Sequence, residues 1–365
     1  MKRGEFVNTP PLTSARVTPE DLTRFCLEAM RLSGLNTEDA RLTAEVLVTT
    51  DTLGTFTHGT RQLRGLLKNV RSGRIRADAH ETVTAQGPAW ALVDAHDAMP
   101  TAVAYRSMEL AMHKAKTSGI SFVGVKQSSH YGAAGFYANL AARQDMFGLS
   151  MCNVDPCMAV PGAKGRVLGT NPIAYAAPAG TEKPLFLDIA TSAVAATKIY
   201  TAKTLGHPIP DTWLIDEEGV PTRDYSQFPE KTVQVPMAGH KGYGLAVLVE
   251  ILTAVLTGAG ILSEVSSWVL DLPTPTNEGH AFIAIDIGQI MPIGHFKTRM
   301  DQMIQEIKSA PLAKDAQRIY LPGEIELERQ EQALANGILL PPDVVASLRG
   351  TAEDVGLDAE QLFTH

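Results

Sequence analysis

Cysteine is scarce and odd in number: Cys26, Cys152 and Cys157 are the only three in 365 residues. The close pair is spaced C-x4-C, and no second pair completes a zinc site. Such a count suits reduced thiols, not a disulfide scaffold. Long apolar runs are also lacking. The longest, Gly244–Gly258, is broken by Glu250 and falls short of the ~20 residues a free bilayer span needs, so it reads as a buried core helix. The opening stretch MKRGEFVNTPPLTS has no apolar segment behind its basic residues, so no secretory signal is expected and a cytoplasmic location is. Positive charge is in deficit. Lys plus Arg is 32 against 40 for Asp plus Glu, a net −8, which argues against a nucleic-acid partner, as the short apolar runs do against a membrane.

Several catalytic fingerprints are missing. There is no G-x-G-x-x-G and no Walker loop, so neither a standard Rossmann site nor a P-loop is expected. There is no H-E-x-x-H and no tight His/Cys cluster, so no catalytic metal is expected. G-x-S-x-G is absent, which removes the nucleophile-elbow hydrolases.

What remains is an ordinary globular composition, 44% hydrophobic and 20% charged, long enough for about two or three domains. Residues 1–16 read as a loose arm. Thr18-Pro19 opens a helix that Gly34 stops, a second helix runs from Thr37 to Gly54, and a third covers 60–72. Alternation then predicts strands at 89–95, 121–126 and 147–153, with helices at 101–118 and 134–143. Two short strands in 172–190 are split at Ala179-Gly180. A helix follows over 192–203, in which Thr191 or Ser192 would be the cap. Residues 206–236 read as turns and short strands, and 241–257 as an apolar helix. The stretch 259–279, around Pro273–Pro275, is a linker, and 280–288 alternates like a strand. Helices return after about 297, with charged ones near 325–336 and 352–363, and these should pack on the N-terminal helices.

Five segments could carry chemistry. In Thr57–Arg64 (THGTRQLR), a helical turn over 58–62 would put His58, Arg61 and Gln62 on one face, where Arg grips a carboxylate and His polarises an oxygen. The plain alternative is a solvated basic helix start. Ser128–Gly135 (SSHYGAAG) follows a strand end, where His130 is either a general acid/base or a hydrogen-bonded structural group. Gly169-Thr170-Asn171-Pro172 can aim an amide at a ligand or simply turn the chain. Asp188 ends the strand LFLDI, where it can support a histidine. Gly239–Gly244 (GHKGYG) before a helix makes an anion site or a flexible entry loop.

Together and in this order these segments are specific. His58-Gly59, the Ser-x-His-x-Gly around His130, GTNPIAYAAP, DIATS, GHKGYGLAVLVEIL, NEGHAFIAID and LPGE at 321–324 span the chain from about Val17 to Asn336. The chain resembles the type-2 malate/L-lactate dehydrogenase family. That family also holds ureidoglycolate, sulfolactate and diketogulonate dehydrogenases or reductases and cyclic-imine carboxylate reductases. SMCNVDP and IPDTWLIDEEGVPT look most like its ureidoglycolate branch.

The resemblance implies a non-Rossmann α/β fold with a mixed central sheet and packed helical ends, a homodimer, NAD or NADP as cofactor, and a small anionic substrate. It divides the chain into a helical domain (1–78 with 300–365), a cofactor-binding domain (79–135 with 237–299) and a central sheet domain (136–236). It implies His130 as the acid/base, His58 as the second catalytic histidine, and Asp188 as a cofactor contact that supports a histidine. Asn171, Pro172, Ile189, Ala190, His240, Lys241, Gly242, Gly323 and Glu324 fall on cofactor segments. Thr57, Arg61, Gln62, Arg64 and Asn153 fall on the substrate side.

One departure stands out. The family has Arg four residues after the first histidine, and here that residue is Gln62. An amide does not replace a bidentate guanidinium, so Arg61 or Arg64 would have to supply the charge. Lys203 and the basic residues near Gly239 would suit a 2′-phosphate. The expected reaction is hydride transfer between NAD(P) and a small 2-hydroxy acid. The alternatives are a cyclic imino-carboxylate reductase and a non-catalytic cofactor-binding homologue.

Overall fold

A computed structural model describes residues 15–269, 274–358 and 360–363. Local capping starts the first helices. Thr18 accepts the Asp21 amide at 3.0 Å to open α1 (Pro19–Leu32), and Asn36 accepts the Asp39 amide at 2.9 Å to open α2 (Thr37–Thr52). The chain then makes a tight 3-10 turn at Thr60–Gln62 before α3 (Leu63–Arg71). The end of the expected arm is β1 (Ala15–Val17), while residues 1–14 lie outside the described residues.

The central sheet has seven strands: β2 (Thr82–Gly87), β3 (Trp90–Asp94), β4 (Ile120–Ser128), β5 (Met146–Cys152), β6 (Ile173–Ala177), β7 (Leu185–Ile189) and β11 (Glu278–Asp286). Their order is β2-β3-β4-β11-β5-β6-β7, with only β3 and β4 parallel. A small sheet holds β8 (Leu214–Ile215), β9 (Pro221–Thr222) and β10 (Val233–Gln234). α4 (Pro100–Ser118), closed by Gly119, and α5 (Ala134–Ala142) cover one face of the large sheet through Phe282 and Ala284. α6 (Ala196–Leu205) precedes the small sheet. α7 (His240–Glu250) covers the other face through Val249 against Met151 and Ala281. It runs on as a π-helical turn, Ile251–Val255. The carbonyl of Thr253 in that turn leaves no room for a side chain at Gly279, beside the irregularity in β11.

β11 leads into α8 (Ile287–Ile290), α9 (Ile293–Lys308) and α10 (Glu324–Asn336). β12 (Ile338–Leu340) pairs antiparallel with β1, and α11 (Pro342–Val355) and α12 (Glu360–Phe363) follow. Leu22, Met30, Leu47, Leu63, Val344 and Leu348 share one core, so the two chain ends do pack together. The charged helix expected over 352–363 is corrected: it is the last turn of α11 and then α12, with Ala359 outside the described residues.

The antiparallel registers matter for function. They bring the C-terminal ends of β4, β5 and β7 and the N-terminal ends of β6 and β11 to one edge of the sheet. His130, Asn153, Asn171 and Asp188 all lie at or next to those ends.

Candidate active site

His130 lies two residues beyond β4 and is buried. The His58 ring stacks on it at 5.5 Å between centroids, with planes 24° apart. Nδ1 of His130 takes a long hydrogen bond from the Gly132 amide, 3.3 Å. Burial, then the neighbouring His58 and His280 rings, holds the His130 imidazole well below its ordinary pKa. His58 is pushed down to about 4 by burial and by the nearby Arg61 cation. Its Nδ1 lies 2.8 Å from Thr57 Oγ1. At neutral pH this is a pair of uncharged imidazoles at a sheet edge.

The turn that presents His58 rests on α2. Asp51 Oδ2 accepts both the Thr60 amide at 3.0 Å and the Thr60 hydroxyl at 2.5 Å. Burial raises this carboxyl to about 7, against the lowering effect of the Thr60 bonds. Its Oδ1 has no hydrogen-bond partner among the described residues. Asp51 sits in the last turn of α2, and its partner Thr60 lies beyond the helix end, so the helix pattern alone does not mark it.

The expected cationic face is corrected. His58 precedes the 3-10 turn, so His58, Arg61 and Gln62 do not line one helix. Gln62 donates to the Thr57 carbonyl and closes the turn. Arg64 is drawn away by Asp354, with Nε–Oδ2 at 3.0 Å, and Arg71 shares that carboxylate. Arg61 pairs with Asp343 at 3.3 Å on the exposed surface, but it stays close enough to act on His58.

Two expected ligand contacts are corrected as well. Asn171 Nδ2 donates to Glu250 Oε2 at 2.7 Å and to the Ala246 carbonyl at 3.1 Å, and its Oδ1 accepts the Val154 amide. Asn153 Nδ2 donates to Glu250 Oε1 at 3.3 Å and to the Gly260 carbonyl at 2.9 Å, and its Oδ1 accepts the Gly279 amide at 2.8 Å. Both amides are fully buried and saturated by the α7 carboxylate and nearby backbone, so neither aims at a substrate. Asp188 has no histidine partner among the described residues. Its Oδ2 accepts the Gly135 amide at 2.7 Å at the start of α5. The carboxyl is open to solvent yet crowded by protein on its inner side, and this desolvation lifts it to about 6. Thr191 and Ser192 do not cap α6. Their hydroxyls donate to the Thr170 and Val194 carbonyls, and α6 begins only at Ala196.

Several of the segments expected to hold cofactor lie on or next to β7. Gly323, at φ +82°, fits against β7 so closely that a Cβ would stand 2.4 Å from Phe186 Cδ1. The LPGE turn therefore lies along the strand that carries Asp188 and Ile189, with Ala190 next in the chain. Glu324 is occupied: Lys308 lies 2.5 Å from Oε1, and Oε2 accepts the Leu321 amide at 2.9 Å. Pro172 leads from Asn171 into β6. At the start of α7, Gly242 has no room for a side chain beside the Met237 carbonyl. The exposed side chains of His240 and Lys241 make no hydrogen bond or ion pair with the described residues. Lys203 does not serve a phosphate, since its Nζ donates to the Ser226 and Phe228 carbonyls.

One aromatic residue enters the site from an irregular stretch. Trp268 lies in the stretch read as a linker, of which 270–273, including Pro273, fall outside the described residues. Its ring stacks on His130 at 4.3 Å.

These residues suit a nicotinamide dinucleotide: closely packed glycine turns, an open carboxylate, and a lysine at a helix start with no partner among the described residues. The fold is a non-Rossmann mixed sheet with packed helical ends. The family is then specific, for the family model described as malate/L-lactate dehydrogenase matches residues 17–349, and the chain belongs to that family. A malate dehydrogenase of Pyrococcus horikoshii is 36% identical over 94% of this chain and 96% of its own length. The solved structure of that organism's malate dehydrogenase superposes with a TM-score of 0.87, covering 96% of this chain and 98% of that one, at 34% identity. Ureidoglycolate dehydrogenase (NAD(+)) of Escherichia coli K12 is 31% identical over 90% of this chain and 93% of its own. A (2R)-3-sulfolactate dehydrogenase (NADP(+)) of Chromohalobacter salexigens is 32% identical over 93% and 98%.

Proposed function

We propose that the protein moves hydride reversibly between NAD(P) and a small 2-hydroxy acid of the malate, lactate or ureidoglycolate kind, with His130 as acid/base. The observation that carries this reading is the stacked pair of neutral imidazoles, His58 and His130, at the sheet edge. When bound, the nicotinamide supplies the hydride acceptor. The chain supplies the proton chemistry. In oxidation an uncharged His130 takes the substrate hydroxyl proton. In reduction the ring must first be protonated, and the anionic substrate beside it favours that charge, offsetting the desolvation. Arg61 anchors the substrate carboxylate, since Gln62 is committed to Thr57. Asp188, Lys241 and Gly323 hold the cofactor. Buried, reduced thiols at Cys26 and Cys152 suit a reducing, cytoplasmic setting.

A homodimer belongs to the same reading. Leu245, Leu248, Ile251, Val255 and Leu256 leave an unbroken apolar stripe exposed along α7 and its π turn. A two-fold axis crossing that stripe would bury it against its own copy.

The experiment is a panel of 2-oxo acids and cyclic 2-imino carboxylates with NADH and NADPH, followed at 340 nm. Turnover of 2-oxo acids is expected, falling ~10²–10⁴-fold in His130→Ala. An unchanged rate in that variant removes His130 from its role. Turnover of imino carboxylates alone replaces the substrate class.

A further inference from the structure

Trp268 is held, not merely placed. Asn69 Nδ2 donates to its carbonyl at 3.1 Å, and Arg74 donates to the carbonyls of Ser267 at 2.7 Å and Thr274 at 3.0 Å. Arg74 also donates to Asn69 Oδ1 at 3.1 Å, which ties the two anchors together. On the far side, Ser129 Oγ meets Thr276 Oγ1 at 2.9 Å, fastening the segment to the residue before His130. The indole edge reaches α3 so closely that a Cβ on Gly65 would stand 3.1 Å from Cζ3. The ring is thus a fixed wall between the helical part and His130.

His58 and Trp268 both stack on His130 but not on each other. With its faces flanked, the imidazole is left its edge for substrate. A reacting oxygen within ~2.6–3.2 Å of a ring nitrogen puts the groups on the reacting carbon beside those flanks. One flank is polar, with His58, Thr57 and Arg61. The other is the apolar indole with Gly65 behind it. A carboxylate belongs on the first, which leaves the second for the remaining substituent of the 2-oxo acid.

We propose that Trp268 is a specificity-determining residue, the wall that limits the non-carboxylate substituent of the substrate to small groups. This rests on the 2-hydroxy acid reading above. The geometry also predicts its mechanical support: a side chain at Gly65 would press the indole further over His130.

The test is the ratio of kcat/KM for bulky and small 2-oxo acids, using 2-oxoisovalerate and phenylpyruvate against pyruvate, in wild type, Trp268→Ala, Trp268→Phe and Gly65→Val. Pocket differences of this kind are worth ~10–200-fold. Trp268→Ala should raise the bulky-to-small ratio by about that factor, mainly through KM for the bulky acids. Trp268→Phe should lie between, and Gly65→Val should lower the ratio. Near-ultraviolet circular dichroism checks that each variant is folded. Binding of the unreactive isostere oxamate and its N-isobutyl derivative by calorimetry should shift in the same direction without turnover. Small 2-oxo acids turned over with an unchanged size profile in folded Trp268→Ala overturn the wall and leave the function standing. A wild type that turns over no 2-oxo acid overturns the function and the wall with it.

Discussion

Asp51 and Gly59 compete for one space: a Cβ on residue 59 would stand 1.9 Å from Asp51 Oδ1. The φ of Gly59, −91°, is outside the left-handed region, and the clash with the Asp51 carboxylate is what bars a side chain there. The glycine lets the turn that carries His58 settle on the α2 carboxylate.

Gly59→Ala must therefore displace either Asp51 or His58. The expected result is a loss of ~10–100-fold in kcat/KM together with a lower Tm. Asp51→Ala in the same chain clears the space and should restore part of the stability. Contacting residues typically couple by ~0.5–3 kcal/mol in such a cycle. Strict additivity of the two changes in thermal unfolding would refute the contact.

The two arginines near His58 should behave differently. The Arg61–Asp343 pair is exposed on both sides, and such pairs contribute about 0–1 kcal/mol, so Arg61 can leave it for a substrate carboxylate. Arg64 is engaged by Asp354, which Arg71 also holds. Arg61→Ala should raise KM for 2-oxo acids by ~10-fold or more with a smaller change in kcat. Arg64→Ala should leave KM within about 2-fold. The reverse pattern in steady-state kinetics would move the anchor to Arg64.

What could be read in advance follows from how local each signal is. Thr18 and Gly119 mark helix ends because capping acts within a few residues. The place of His130 at a strand end is legible because an apolar strand precedes it. β1 and β12 are not, since three-residue strands draw their pairing from the far end of the chain, Val17 opposite Ile338. Asn171 follows the same rule. Its turn is local, but its partner Glu250 sits in an apolar helix far along the chain. A carboxylate inside such a run needs buried donors, and Asn153 and Asn171 supply them. Trp268 and Asp51 gave no local sign, because their importance lies in what they touch across the fold.

His280 should make the protein acid-sensitive. It is fully buried, with Nε2 3.1 Å from the Ser129 carbonyl and Nδ1 without a partner among the described residues. Burial pushes its pKa down to about 4 from an ordinary 6.5. Between those values the unfolded chain binds the proton and the folded chain does not, so stability rises with pH. The cost is absent above about 6.5 and complete below about 4, on the order of 3 kcal/mol. His280→Phe can keep the stack on Tyr131 and should flatten the fall in Tm between pH 6.5 and 4. An identical pH slope in the variant would show that His280 already titrates normally.

The exposed stripe of α7 makes the last prediction. Ala246 and Val249 face the core, while Leu245, Leu248, Ile251 and Val255 face outward. A contiguous apolar face on a helix is seldom left to water unless it meets a partner. His240 and Lys241 begin this same helix, so dimer contact would also steady the cofactor loop. Leu248→Glu places a charge mid-stripe, where burial without a counter-charge is costly, yet should not disturb the monomer core. Light scattering should report a dimer for the wild type and a monomer for the variant at micromolar concentration. The variant should bind NAD(P)H several-fold more weakly, with secondary structure intact. A monomeric wild type would mean that this face serves something other than a second copy.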